Sequence, residues 1–159
     1  MAWEKLGTNT LTSPADDISN TITEKKFLQY MLLKINTGGG VNPNLTFNSD
    51  STANYAYRYS SNGAADVTLV NQSKIEMTKA GATPTSLVIM YSMNIATQEK
   101  LIIIKDVESS ATGSGTSPNR MEVISKWTNS SAQITTVNFG NDDAGDYATD
   151  SNATVFGTD

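Results

Sequence analysis

The sequence predicts an all-β protein, a single-domain antiparallel β-sandwich or jelly roll, and three observations predict it. Alternation with period two recurs along the chain, whereas helical periodicity nowhere lasts beyond a turn or two. Segments rich in Gly, Pro, Asn, Asp and Ser punctuate the alternating stretches at 36–44, 61–66, 80–85, 108–119, 128–131 and 140–150. The length of 159 residues suits one domain, because a chain near 150 residues buries roughly 70% of its unfolded surface on folding.

Taken in order, residues 1–25 hold short stretches at 3–6, 8–12 and 18–22, read as first strands or as an arm contacting a neighbour. Residues 27–35 form the first strong strand. One of its faces carries Phe27, Gln29, Met31, Leu33 and Ile35, and the other Leu28, Tyr30, Leu32 and Lys34. Weaker strands follow at 45–48, 55–60 and 74–78. In 86–95, Leu87, Ile89, Tyr91, Met93 and Ile95 face one way, with Val88 and Met90 opposite before Ser92 and Asn94 turn polar. After the short connection 96–99, residues 101–107 set Leu101, Ile103 and Val107 against Ile102 and Ile104, so these two strands read as a hairpin. Stretches at 121–127, 133–139 and 153–156 complete about ten short strands, the spacing of two packed antiparallel sheets.

A strand that is apolar on both faces needs cover on both sides. The outer face of a sandwich normally meets water, so Tyr30, Leu32, Val88, Met90, Ile102 and Ile104 are read as the outward set, covered either by a long loop or by a neighbouring subunit. Trp3, close to the terminus, is read either as core or as an anchor on that neighbour.

Composition excludes several functions. The chain has no Cys and no His, which removes disulfides, thiolate and imidazole metal sites, and the Ser-His-Asp and Cys-His nucleophile systems. Catalysis would fall to carboxylates, Lys or Tyr, and the densest acids, Asp142, Asp143 and Asp146, share one turn instead of flanking a substrate. No catalytic residue is assigned, and no enzyme activity or cofactor is expected. The formal charge of -5, with 11 dispersed Lys and Arg, argues against nucleic acid as a partner. The longest aliphatic run, 101–104, is far short of the about 20 residues a membrane helix needs. The oxygen-rich loop 48–54 and the 141–146 loop both invite Ca²⁺, yet neither completes an EF-hand pattern, and an Asx-rich turn is the favoured reading, with no metal assigned.

Tyr55, Tyr57 and Tyr59 share one face of a short strand. Three aromatic rings in a row suit a glycan-stacking platform, and equally suit a core or interface face. Ser, Thr and Asn supply 53 of the 159 residues, a surface made polar by hydroxyls and amides, in the manner of a protein that lives outside a cell. The start, Met1-Ala2-Trp3-Glu4, shows no secretory signal. A protein made in a host cytoplasm without a signal peptide and carried out on an assembled particle reconciles the two.

Leu45-Thr46-Phe47-Asn48-Ser49-Asp50, Asn54-Tyr55-Ala56-Tyr57-Arg58-Tyr59-Ser60-Ser61-Asn62-Gly63, Pro118-Asn119-Arg120-Met121-Glu122 and the opening Trp3-Glu4-Lys5-Leu6-Gly7 resemble small β-rich proteins of tailed phages, particularly marine ones. The similarity covers most of the length and carries no chemistry. It implies a virion structural part, in the capsid or the tail. The expected function is capsid decoration or cementing as a symmetric oligomer, with a trimer as the expected order and the major capsid or other virion proteins as partners. The alternative is a tail-fibre or adhesin module that binds glycan through Tyr55, Tyr57 and Tyr59.

Overall fold

The computed structural model describes residues 2–36, 38–77, 85–109, 111 and 113–159, and within them the chain builds twelve strands and no helix. The strands are β1 (Glu4–Thr10), β2 (Asp17–Thr21), β3 (Phe27–Ile35), β4 (Pro43–Phe47), β5 (Tyr55–Ser61), β6 (Val67–Gln72), β7 (Ile75–Glu76), β8 (Thr85–Met93), β9 (Lys100–Glu108), β10 (Asn119–Trp127), β11 (Thr136–Asn141) and β12 (Asn152–Thr158). An eight-stranded sheet runs β1-β12-β3-β8-β9-β10-β5-β6, and a four-stranded sheet runs β2-β11-β4-β7. Every pairing is antiparallel, as an all-β sandwich requires.

Most expected strands form, and the 86–95 and 101–107 segments pair as the expected hairpin, β8 with β9. The two N-terminal stretches at 3–6 and 8–12 merge into β1, which takes up a register shift between Lys5 and Gly7 instead of breaking. The part of the expected 74–78 strand beyond Met77 lies outside the described residues. β6 was not expected, because Val67, Leu69 and Val70 follow no strict alternation. The chain nevertheless carried a signal for it. Asn62 and Gly63 take positive φ of 51° and 77°, and the Ala64 N–H closes back on the Ser61 carbonyl at 2.9 Å. That is a hairpin turn, and it requires a partner strand after it.

The core lies between the sheets. Leu28, Tyr30 and Leu32 of β3, Val88 and Met90 of β8, Ile102 and Ile104 of β9 and Val123 and Trp127 of β10 face Ile18, Leu45, Phe47, Val137 and Phe139 of the smaller sheet, all at most 1% exposed. This corrects the expected orientation of three strands. Tyr30, Leu32, Val88, Met90, Ile102 and Ile104 point inward, and the set assumed to be core points out.

The inversion has a physical reason. In each of these strands the inward set contains the more polar residues: Lys34 in β3, Ser86 and Ser92 in β8, Lys100, Asp106 and Glu108 in β9, all nearly or fully buried. Polar side chains mark a face as outward only when nothing inside satisfies them, and here much is satisfied. Lys34 Nζ lies 3.0 Å from Glu108 Oε1, with 0% and 3% side-chain exposure. Tyr30 and Ser92 share a hydroxyl hydrogen bond of 3.0 Å. The Lys100 ammonium donates to the carbonyls of Ala96, Gln98 and Asn129 at 3.3, 2.8 and 2.8 Å and sits 5.7 Å from the centre of the Trp127 ring. Burial pushes its pKa down from the usual lysine range.

A buried pair is costly to break and cheap to replace. Glu108→Ala is expected to lower stability by about 3–5 kcal/mol, since it strands the Lys34 ammonium, whereas the double variant K34M/E108L should recover most of the loss. Urea unfolding midpoints of the three proteins check this.

Candidate functional site: an apolar sheet face

Because β3, β8 and β9 turn their polar-bearing sides inward, their opposite sides present apolar groups to solvent, and β10 adds Ile124 from an outward side that otherwise carries Arg120, Glu122 and Lys126. Phe27, Met31, Leu33, Leu87, Tyr91, Leu101, Ile103, Val107 and Ile124 are 37–60% exposed. Strand register joins them into one surface. Leu33 pairs with Leu87 and Leu87 with Val107; Met31 pairs with half-buried Ile89; Tyr91 pairs with Ile103 and Ile103 with Ile124. Residues that pair across an antiparallel ladder stand side by side on the same face, so the patch runs over β3, β8 and β9 and reaches Ile124 of β10, with the paired Lys105 and Glu122 on the same face beside Ile89.

Its size sets it apart from ordinary surface. A large side chain presents roughly 150–250 Å² when free, so nine of them at these exposures leave on the order of 800 Å² of apolar surface in water. The largest apolar patch on a typical monomer is about 300–600 Å². At about 25 cal/mol/Å², covering the face would be worth on the order of 20 kcal/mol before the costs of association. Those costs consume most of such a figure, yet it exceeds the margin by which a domain of this size is stable.

The face is grooved. Trp3, Phe27, Tyr91, Met93, Leu101 and Ile103 are among the residues that line a groove of about 560 Å³. Trp3, 47% exposed, thus stands at the margin of the patch. A second groove on the same face is bordered by Arg58, Asp66, Lys105 and Glu122. The charges there are paired: Lys105 with Glu122 at 3.1 Å, Arg58 with Asp66 at 3.7 Å, and, beside the larger groove, Lys126 with Glu99 at 2.8 Å.

The other sequence candidates resolve differently. Tyr55, Tyr57 and Tyr59 are 1%, 4% and 6% exposed and form part of the core. Tyr55 stacks near Trp127, its ring centre 6.4 Å away, and its hydroxyl donates to the Asp50 carbonyl at 2.9 Å and accepts from the Phe47 amide at 3.0 Å. A ring packed on both sides by protein has no free face for a sugar, which corrects the glycan platform on these residues. The alternation that aligned the three rings is real; it aligns them inward.

The 48–54 loop is an internal brace. Asp50 accepts from the Thr52 amide and hydroxyl at 3.0 and 2.6 Å, from the Asn54 side chain at 2.9 Å and from the Trp127 indole N–H at 2.7 Å. Asn48, at positive φ, bonds the backbone of Gln133, Thr135 and Thr136 with its amide, tying the end of β4 to the start of β11. In the 141–146 loop, the Asn141 carbonyl oxygen accepts from the amides of Asn42 and Asp143 at 2.9 and 3.0 Å, and its NH₂ donates to the carbonyls of Asp143 and Gly145. Among the described residues no group of three acids is gathered as a metal would require.

No family model matches the chain, and no curated protein matches it. Solved structures similar to it include the CBM2 module of the evolved Dit of Lactobacillus casei BL23 phage J-1, 7% identical over 91% of this chain and 74% of that one, with a TM-score of 0.30. Another is HCR/D-Sa-GBL1/C, 9% identical over 99% of this chain and 43% of that one, also with a TM-score of 0.30. The chain thus spans less than half the length of the second structure. Likenesses this distant carry no argument about function.

Two predictions follow from the tyrosines and the brace. Tyr57→Ala is expected to cost about 3–5 kcal/mol, as other aromatic truncations in a core do, and to broaden or lower the thermal transition in calorimetry. For Asp50, partial desolvation raises the carboxyl pKa, but the bonds from Thr52, Asn54 and Trp127 outweigh it and hold the pKa down to about 2. A carboxylate lowered in the folded state stabilises above its unfolded pKa of about 3.9, and that contribution is lost as pH falls towards 2. Acid unfolding of Asp50→Asn should therefore show a shallower loss of stability between about pH 4 and pH 2 than the wild-type chain.

Proposed function

We propose that this chain is a non-enzymatic virion structural protein that works by contact, decorating or cementing a particle shell as part of a symmetric oligomer. The observation that supports the reading most directly is the continuous apolar face of the eight-stranded sheet. Its area exceeds what an isolated domain ordinarily leaves in water and matches the share one partner brings to a standard interface, about 800 Å². The mechanism is then area burial: the face of one chain is removed from water against a neighbouring copy, a major capsid protein or another virion protein, with no covalent step. Trp3 at the edge of the patch is placed to extend the contact.

The polar remainder of the surface supports the same reading. Its Ser, Thr and Asn residues keep a particle exterior soluble without a strong field, and the formal charge of -5 is modest for the length. On this reading the chain is made in the host cytoplasm and reaches the exterior with the particle.

Purified particles from a host whose genome encodes the chain provide the test. Mass spectrometry and antibody labelling should find the protein on intact particles, and a chain carrying Ile124→Lys should fold with an unchanged circular dichroism spectrum but be reduced at least tenfold on them. Particles that lack the wild-type protein, or that carry the variant at wild-type level, would overturn the proposal.

A further inference from the structure

We infer that the apolar face is self-complementary and that two copies of this chain pair through it, sheet against sheet, about a two-fold axis. The inference rests on the reading that this face is covered in an assembly, and it names the occupant.

Area is the first argument. Each copy offers on the order of 800 Å² of contiguous apolar surface, so two copies bury about 1,600 Å² together, the size of a standard stable interface. Of the other exposed large apolar side chains among the described residues, Trp3 and Val70 border this patch, each in a groove shared with Leu101 and Ile124, and Val67 and Ile95 are too few to make a second one of that size. Symmetry is the second. An isologous contact uses the same patch on both partners, whereas a closed ring of three needs two different and complementary patches on every copy. Among the described residues the fold presents one such patch, so a pair satisfies it and a ring does not.

Charge is the third. The cations Lys105, Lys126 and Arg58 around the grooves are each matched within their own chain by Glu122, Glu99 and Asp66. Many of the acids behind the net charge of -5 lie away from this face: Asp106 and Glu108 are buried inside, Asp50 braces its own loop, Asp17 belongs to the smaller sheet and four acids sit in the 141–150 loop, while Glu4 and Asp159 at the margin share Lys25. Arg120, on the same face opposite Val107, lies near Glu122 and adds one further cation, so two such faces meet with little like-charge opposition, while a strongly charged partner finds little uncompensated charge to recognise. Sheets packed face to face sit about 10 Å apart with interdigitated side chains, a spacing that the row Tyr91, Ile103 and Ile124 fills from both sides.

Light scattering coupled to gel filtration at 1–100 micromolar tests the pairing on the full chain. The expected mass is twice the 17.0 kDa of one chain. Ile103→Lys should return a monomer with an unchanged circular dichroism spectrum, and Val67→Lys, paired with core-facing Tyr59 and so on the opposite side of the sheet from the patch, should remain a dimer. A monomeric wild type, a trimer, or a dimer that survives both Ile103→Lys and Leu101→Lys would each overturn the two-fold pair. The particle experiment separates this from the broader reading: a wild-type monomer or trimer found on particles removes the pair alone, and a dimer absent from particles removes the virion role alone.

Discussion

Everything distinctive about this protein depends on which way β3, β8 and β9 face, and that is settled by whether polar side chains can be satisfied inside. These three strands bring Lys34, Ser92, Lys100 and Glu108 into the interior, where an ion pair, a shared hydroxyl bond and a ring of backbone carbonyls receive them. Unsatisfied, the charged members of this set would each cost several kcal/mol, whereas a single neutral hydroxyl such as that of Ser86, buried in β8 without a hydrogen-bond partner, costs about 1–3 kcal/mol and is tolerated. Satisfied, they leave the opposite faces to carry Leu33, Leu87, Ile103 and their neighbours into solvent. The polar interior and the apolar exterior are thus one fact seen from two sides.

The side chains that close the ends of the sandwich serve the same orientation. Asn94 is fully buried and bonds the backbone of Lys25 and Ile134 while the Ile134 amide returns to its carbonyl oxygen. Asp50 joins its loop to Trp127, and Asn48 joins β4 to β11. A chain with no cysteine to cross-link it holds its two sheets in place with amide and carboxylate bonds to backbone, each worth about 1 kcal/mol and jointly decisive for register. This gives the abundance of Asn a structural meaning beyond solubility.

Much of the architecture was legible in the residues. Period-two alternation located nearly all the strands, the short polar connection at 96–99 announced the β8–β9 hairpin, and the turn-rich segments fell between elements. β6 escaped because an edge strand with half-exposed faces has no clean alternation to show, although the Asn62-Gly63 turn pointed to it. The candidate site was legible only in kind. That some sheet face needed cover followed from strands apolar on both sides; the residues of that face did not, since Tyr30 and Met31 look equally apt for either side. The tyrosine row 55, 57 and 59 shows the same limit: alternation placed the rings on one face and was silent on its direction.

By itself, then, the sequence determined the strand class, the turns, the absence of thiol and imidazole chemistry and the excess of apolar surface over what one core absorbs. Those follow from local periodicity and composition, which need no partner to be read. The tertiary structure alone decided which excess is exposed, because a strand's two faces are equivalent until another sheet packs on one of them. That choice depends on contacts between residues far apart in the chain, such as Lys34 with Glu108 and Trp127 with Asp50, and no local pattern records them.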